Sequence, residues 1–326
     1  MALSLGAQGD DYLQPHEWLV GVSYRFLNSY HDFHYSQEVF STPDIYANTH
    51  VHSIDVNVSY ALTKRLSLTL EIPFQIASRE TYVEHDGITL HTMRSSGLGD
   101  LRLSSTFWLL DPDRALQQNL SLSLGIKAPT GDSRATGYSY RSSGPVLRPV
   151  DPAIQLGDGG WGMVLGIQGF KKLLKQSSFY FQGSYLINPR EMNGTQTVIG
   201  DLPAFTQGDI GYTINSVPDQ YLGRLGFTQT IWPSQGLSVS LGTRIDGIPT
   251  WDLIGGSEGN RVPGYAIYLE PGISVARGKN FFSVTAPIAV ERRSLKSVAD
   301  RRTGYPGVPL AAFADYLITA SYSFRF

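Results

Sequence analysis

Ionisable side chains alternate with apolar ones in several short segments of this 326-residue chain. They are Arg25, Asp55, Glu71, Arg102, Lys127, Arg224, Arg244, Asp246, Glu270, Glu291 and Arg325. Because every second residue of a β-strand shares a face, these charges would line one surface. The acidic and basic side chains are grouped by predicted hairpin: Asp55 with Glu71, Arg102 with Lys127, Arg224 with Arg244, and Glu270 with Glu291.

Two kinds of chemistry fit such a surface if it encloses a narrow space. The charges could set a transverse field that orients dipolar or zwitterionic solutes, as charged rings do in channels. They could also pair with one another and brace the structure, because a buried charge needs a partner. The sequence leaves both open. We expect six side chains to form the constriction: Glu71, Arg102, Lys127, Arg224, Arg244 and Glu270.

Histidine is unevenly distributed, since six of the seven lie between positions 31 and 91. In "HVH", an extended chain would place His50 and His52 on one face, a spacing that can chelate zinc, copper or nickel. The alternative is a set of polar loop residues that become charged at mildly acidic pH. No carboxylate or cysteine pattern completes a site, so we predict neither a metal nor a cofactor.

Catalytic patterns are weak. The string "HTMRSSG" (91–97) brings histidine and serine close together but lacks an asparagine to orient the imidazole. In "GDSRAT" (131–136), no strand-turn-helix context surrounds Ser133. A hydrolase on a barrel wall is therefore a minor alternative, and we predict that the protein is not an enzyme.

The composition favours strands and turns. Hydrophobic residues make up 41%, charged residues 17%, and glycine is abundant, whereas cysteine is absent. The net charge of -2 provides no field that would attract nucleic acid. No apolar run approaches the 18 or more residues of a membrane helix.

Alternation with a period of two recurs along the chain and predicts about twelve strands. They span 18–26, 53–60, 66–76, 100–110, 119–129, 160–170, 177–188, 220–232, 236–246, 265–276, 280–291 and 315–326. Five short connections alternate with six long ones that are rich in glycine, proline and charge. This order is typical of an antiparallel meander with tight turns on one rim and long loops on the other.

The pattern predicts an all-β fold, a transmembrane antiparallel up-and-down β-barrel with short periplasmic turns and long extracellular loops. In hydrocarbon, every backbone polar group must be paired within the protein, which a closed barrel achieves. The alternative is a soluble barrel or sandwich, in which the apolar face packs on protein. We expect residues 17–326 to form the barrel and residues 1–16 to form a periplasmic tail that can act as a plug.

The last strand carries aromatic residues at alternate positions, Tyr322, Phe324 and Phe326. It resembles the C-terminal insertion signal of bacterial outer-membrane barrels, which implies recognition by the barrel-assembly machinery. The loop "RRSLKSVADRRTGYPG" (292–307) is basic enough to contact lipopolysaccharide phosphates, or is simply solvated.

Three segments resemble the outer-membrane transporter family associated with the MetA pathway of phenol degradation. They are "GLGDLRLSSTFWLL" (97–110), "LSLGIKAPTGD" (122–132) and "IQLGDGGWGMVLGIQGF" (154–170). The match is good over 65–170 and elsewhere rests on architecture. The resemblance implies a passive channel in the outer membrane of a Gram-negative bacterium for small, often aromatic or apolar solutes.

We therefore predict an outer-membrane channel for small solutes that contacts the lipid bilayer and lipopolysaccharide. The alternative is a closed structural or docking barrel that displays its loops to partners and has no open pore.

Overall fold

A computed structural model describes residues 12–39, 46–198, 209–304 and 311–326. In these ranges, twelve strands form the barrel, and two of them are interrupted. The strands are β1 Trp18–Ser29, β2 Ala47–Ala61, β3 Leu66–Thr81, β4 His91–Leu98 with Leu101–Trp108, β5 Gln118–Ala128, β6 Gly162–Leu174, β7 Ser177–Ile187, β8 Gln220–Trp232, β9 Leu237–Ile248, β10 Gly264–Arg277, β11 Asn280–Thr285 with Ile288–Ser294, and β12 Tyr316–Arg325.

Each strand pairs antiparallel with the next one along the chain, and β12 pairs with β1 to close the barrel. In the closing register, Val22 lies opposite Tyr322. The N–H of Trp18 also donates to the carbonyl of Phe326 at 2.9 Å, at the end where the turns lie. The predicted twelve-stranded meander is therefore confirmed, and every strand overlaps its predicted range. Several strands run further, and the first part of β4, His91–Leu98, lies outside the predicted strand 100–110.

The two faces of the wall have opposite character. Outward side chains such as Leu124 and Phe227 are more than half exposed, whereas inward ones such as Ser121 and Thr228 are almost fully buried. A soluble protein would bury the apolar face instead. This inversion, polar inside and apolar outside, is that of a barrel whose outer face is covered by hydrocarbon.

The connections contain short elements of their own. The loop strands are Asp32–His34, Gln37–Val39, Thr136–Arg141, Gly144–Pro149, Met192–Gln196, Ile214–Ser216 and Ala311–Ala312. The helices are α1 Ile210–Thr213 and α2 Val298–Thr303, with 3₁₀ turns at Pro152–Ile154 and Pro233–Gln235. Over the described ranges, no helix has the length and apolar character needed to cross a membrane.

The wall changes its pairing at the interruption of β4. Towards the turns, Leu101 pairs with Ala128 of β5, but the half towards the loops, which ends at Leu98, pairs with β3 alone. Loop 3, residues 129–161, starts where β5 ends, beside this gap.

The glycine motifs of the sequence meet at this interruption. One Asp100 carboxylate oxygen accepts from the N–H of Gly131 at 2.9 Å, and the Thr130 hydroxyl donates to the carbonyl of Gly99 at 2.8 Å. A Cβ added at Gly157 would stand 2.5 Å from Asp100 Oδ1, so the approach requires glycine. The three motifs together fasten both ends of loop 3 to the wall.

The middle of loop 3 folds into the barrel. Val150 and Ile154 are fully buried there, and they pack against the inward side chains of Val51, Ala77 and Met93. This apolar cluster occupies part of the barrel interior, the lumen, at the end where the loops lie.

Candidate functional site

Ten of the eleven charges that the sequence assigned to the lumen face inward. They are Arg25, Asp55, Glu71, Arg102, Lys127, Arg224, Arg244, Asp246, Glu270 and Arg325. Residues directly opposite in neighbouring strands point the same way. Glu71 lies opposite Arg102, which lies opposite Lys127, so three charges form one inward row.

The remaining prediction, Glu291, is wrong. The register of β11 shifts by one residue against β10, so that Glu291 lies opposite the outward Ile267. Its carboxylate accepts from the Tyr265 hydroxyl at 3.1 Å on the outer surface. A bulge inserts one residue and reverses the faces beyond it, so Arg292 takes the inward place and pairs with Asp315 at 2.5 Å.

One enclosed inward pair joins Arg224 of β8 to Glu270 of β10. Arg224 Nε donates to Glu270 Oε1 at 2.9 Å, and the carboxylate is almost completely buried. The strand between them carries Gly242 opposite Glu270. A Cβ there would stand 2.5 Å from the Leu225 carbonyl oxygen and 2.7 Å from the buried Tyr180 hydroxyl, so glycine makes room for that hydroxyl beside the pair.

Two further inward cations form ion pairs, one with a carboxylate of its own strand and one with a carboxylate of loop 3. Arg244 Nε donates to Asp246 Oδ1 at 2.7 Å, two residues along β9. Lys127 forms an ion pair with Asp158 of loop 3 and lies 3.7 Å from Asp100. The first pair lies within one strand and the second joins the wall to loop 3, so neither pair joins opposite sides of the lumen.

Four inward charges on β1 to β4 are not braced in this way. Among the described residues, Asp55, Glu71 and Arg102 form no ion pair or hydrogen bond, and the Arg25 guanidinium reaches only Ser53 Oγ, at 3.4 Å. Arg25 nevertheless interacts electrostatically with Asp55, Arg244, Arg102 and Glu71. One arc of the lumen therefore offers charges of both signs to whatever enters it.

A cavity of about 160 Å³ lies between these charges inside the barrel. Its charged lining is Arg25, Asp55, Arg224 and Arg244. Its hydroxyl lining is Ser23, Ser283, Thr285, Thr319 and Ser321. Six strands contribute, and β2 and β8 are six places apart in the twelve-stranded ring, so the cavity spans the bore.

At the turn end, Tyr12 of the N-terminal tail lies inside the barrel. Its ring packs edge-on against Trp108 at 5.0 Å and contacts Phe170, both of which face inward. The hydroxyl donates to the Ala115 carbonyl and accepts from Asn119 Nδ2, each at 2.9 Å. Tyr12 therefore occupies the periplasmic end of the lumen; residues 1–11 of the predicted tail lie outside the described ranges.

At the loop end, Arg79 contacts carboxylates of two different loops. Arg79 Nε donates to the buried Glu84 at 2.6 Å, and its guanidinium lies 3.9 Å from Asp151 of loop 3. Burial raises the pKa of Glu84 to about 7 in spite of Arg79. Burial and the neighbouring His91 lower the pKa of His85 to about 4.

His50 and His52 share one face, as predicted, but that face is the outer one. His52 Nδ1 hydrogen-bonds the Tyr24 hydroxyl at 2.7 Å, and the Phe26 ring lies 5.0 Å from the His52 ring. Nowhere in the described part of the chain do three histidine or carboxylate groups gather as a metal site would need. The pair instead belongs to a cluster of outward rings.

Tyr322 and Phe324 point outward on β12, and Phe326 is exposed beside them, with the rings of Phe324 and Phe326 stacked at 6.0 Å. Their placement fits the aromatic belt of a membrane barrel. Their role as an insertion signal stays a prediction.

Sequence reasoning missed Asp100, Asp158 and Glu84 as partners of inward cations. Asp100 was included only in the family-like segment 97–110, although a carboxylate directly after Gly97 and Gly99 is a signal of close packing. Asp158 and Glu84 lie in loops, where no alternation of polar and apolar residues predicts which side chains face the lumen.

The sequence of residues 2–103 matches a family model described as "Putative outer membrane beta-barrel porin, MtrB/PioB". No curated protein matches the chain. The solved COG4313 outer membrane channel from Pseudomonas putida F1 is similar in fold, with a TM-score of 0.60 and 16% identity over 98% of this chain and 99% of that one. This likeness confirms the outer-membrane barrel fold.

Two other solved structures have lower TM-scores. The translocator domain of the autotransporter NalP from Neisseria meningitidis has a TM-score of 0.49 at 10% identity, covering 100% of this chain and 92% of that one. The P. putida toluene transporter TodX has a TM-score of 0.45 at 9% identity, with the same coverage.

The family match over residues 2–103 and the likeness to the COG4313 channel both support the fold of an outer-membrane β-barrel. The predicted outer-membrane barrel is confirmed at the level of the fold. Neither of these two carries the phenol-degradation name, which stays a prediction.

Proposed function

We propose that the barrel is a passive channel through which small solutes cross the outer membrane along the charged lumen. The observation that carries this is the cavity of about 160 Å³, whose charged lining includes Arg25 and Asp55, neither of which has an ion-pair partner among the described residues. A protein cavity of roughly 150 Å³ holds benzene, so a solute of that size fits. The charged and hydroxyl lining favours polar solutes over the apolar compounds that the family resemblance implies.

Solutes that use this path must pass two obstructions. The Tyr12 ring stands at the periplasmic end, and Val150 and Ile154 stand at the loop end. We propose that the N-terminal tail acts as the plug, because two hydrogen bonds and two ring contacts hold Tyr12 against the inner wall.

Single-channel recordings in planar bilayers test this proposal. Tyr12→Ala removes the ring and should increase the conductance or the open probability, whereas Tyr138→Ala, an exposed loop tyrosine, should change neither. Arg102→Gln, in a protein that keeps Tyr12, should alter the current relative to the wild type. If neither the wild type nor Tyr12→Ala carries ions or solutes, the channel proposal fails.

The second candidate is a closed barrel that displays its loops to partners. The filled ends of the lumen favour it, because the described residues already occupy both mouths. If the folded wild type and the folded Tyr12→Ala variant both carry no current in the recordings, that result would support this candidate.

A further inference from the structure

Arg25 of β1 and Arg244 of β9 both line the cavity described above. Asp55 attracts Arg25 without forming an ion pair with it, whereas Arg244 repels it, because like charges repel. Arg244 has one carboxylate partner, Asp246, through Nε. Arg25 has no carboxylate within ion-pair distance among the described residues.

An anion between the two guanidiniums would remove this repulsion. Guanidinium groups bind carboxylates with charge-assisted hydrogen bonds, and both side chains keep N–H groups that no described residue accepts. Arg224 is less suited, because Glu270 already accepts from it.

The same cavity holds a free carboxylate. Asp55 lies opposite Ser23 on the neighbouring strand, and it lacks an ion pair, as does the nearby Glu71. An ammonium group or another hydrogen-bond donor would satisfy Asp55. Hydroxyls from β11 and β12, including Thr285 and Thr319, can complete the shell around a polar solute.

We propose that this cavity is a binding site for small amphoteric solutes, with the carboxylate held between Arg25 and Arg244 and the ammonium group held by Asp55. This inference rests on the proposed function, since it treats the lumen as the solute path. It adds the solute class.

Four probes of similar length separate the two ends of the site: 4-aminobutyrate, butyrate, butylamine and 1,4-butanediol. Isothermal titration calorimetry on the full-length protein in detergent should show 4-aminobutyrate binding about tenfold more tightly than butyrate or butylamine. Butanediol should bind most weakly. Equal affinity for all four probes, or no binding, overturns the inference without any variant.

Variants then show which side chain binds the carboxylate end of the solute and which binds its ammonium end. Arg25→Gln should weaken 4-aminobutyrate and butyrate but not butylamine, whereas Asp55→Asn should weaken 4-aminobutyrate and butylamine but not butyrate. Arg25→Lys, which keeps the charge, should retain most of the affinity if the glutamine variant does not fold. Arg114→Gln, in a turn outside the barrel, is the matched control and should change nothing. A loss that is the same for every probe would contradict the assignment.

Solute flux into liposomes distinguishes this inference from the channel proposal. Selective binding of 4-aminobutyrate without flux would leave the site standing and remove the channel. Flux of all four solutes without selective binding would leave the channel standing and remove the amphoteric site.

Discussion

The two sides of the lumen use similar charges in different ways. On β8 to β10, Arg224 and Arg244 have carboxylate partners at hydrogen-bond distance. On β1 to β4, Arg25, Asp55 and Arg102 have none among the described residues. The difference indicates that one side holds the wall together and that the other is available to solutes.

The largest expected effect concerns the braced side. Glu270→Ala should lower the free energy of unfolding by about 3 kcal/mol, because it leaves the largely buried Arg224 without its partner. Asp55→Ala, on the unbraced side, should cost less than about 1 kcal/mol. Urea unfolding of both variants in detergent measures the difference, and equal losses would erase the distinction between the two sides.

A backbone substitution on the braced side should have a smaller effect. Gly242→Ala would place a methyl group 2.7 Å from the Tyr180 hydroxyl and 3.2 Å from the Gly226 Cα, which should cost roughly 1–3 kcal/mol. Gly21→Ala on β1 is the control, since its nearest atoms are 3.4 Å away. Thermal unfolding compares the two, and a control as unstable as Gly242→Ala would refute the packing argument.

The smallest effect lies at the loop end and depends on pH. The pKa of Glu84 is about 7 when folded and 4.5 in its ordinary state, so near neutral pH the folded protein binds more protons than the unfolded one. Stability should therefore fall by roughly 0.8 kcal/mol between pH 6.5 and 8. His85 acts in the opposite direction, because its pKa is about 4 when folded and 6.5 when unfolded, and it should offset roughly 0.4 kcal/mol of this fall between pH 6.5 and 8.

Denaturation at several pH values checks this dependence, with Glu84→Gln as the comparison. The variant cannot titrate at this position, so the fall in stability between pH 6.5 and 8 should disappear. A fall that the variant retains would assign the dependence to other groups.

Alternation was sufficient to predict the barrel, because successive side chains of each strand point in turn to the lipid and to the lumen. The same rule gave the correct face to Arg102 and Glu270 but failed at Glu291, where a bulge breaks the period. Bulges depend on local packing that a single sequence does not display.

The filling of the lumen was harder to predict. The tail was expected to reach the pore, and Tyr12 does so, but no pattern in the sequence predicted that Val150 and Ile154 enter from loop 3. A loop has no periodic face, so its buried residues are set by contacts distant in the chain, such as the one between Asp100 and Gly131.

The most direct test of the account is the reversal potential of the purified protein in a bilayer under a potassium chloride gradient. Asp55→Asn should shift the selectivity towards anions and Arg25→Gln towards cations, because both charges lack partners and face the path. The double variant Arg224→Met with Glu270→Met, which removes a paired couple, should leave the selectivity unchanged. A shift in the double variant as large as that in Asp55→Asn, or an absence of shift in either single variant, would contradict the account.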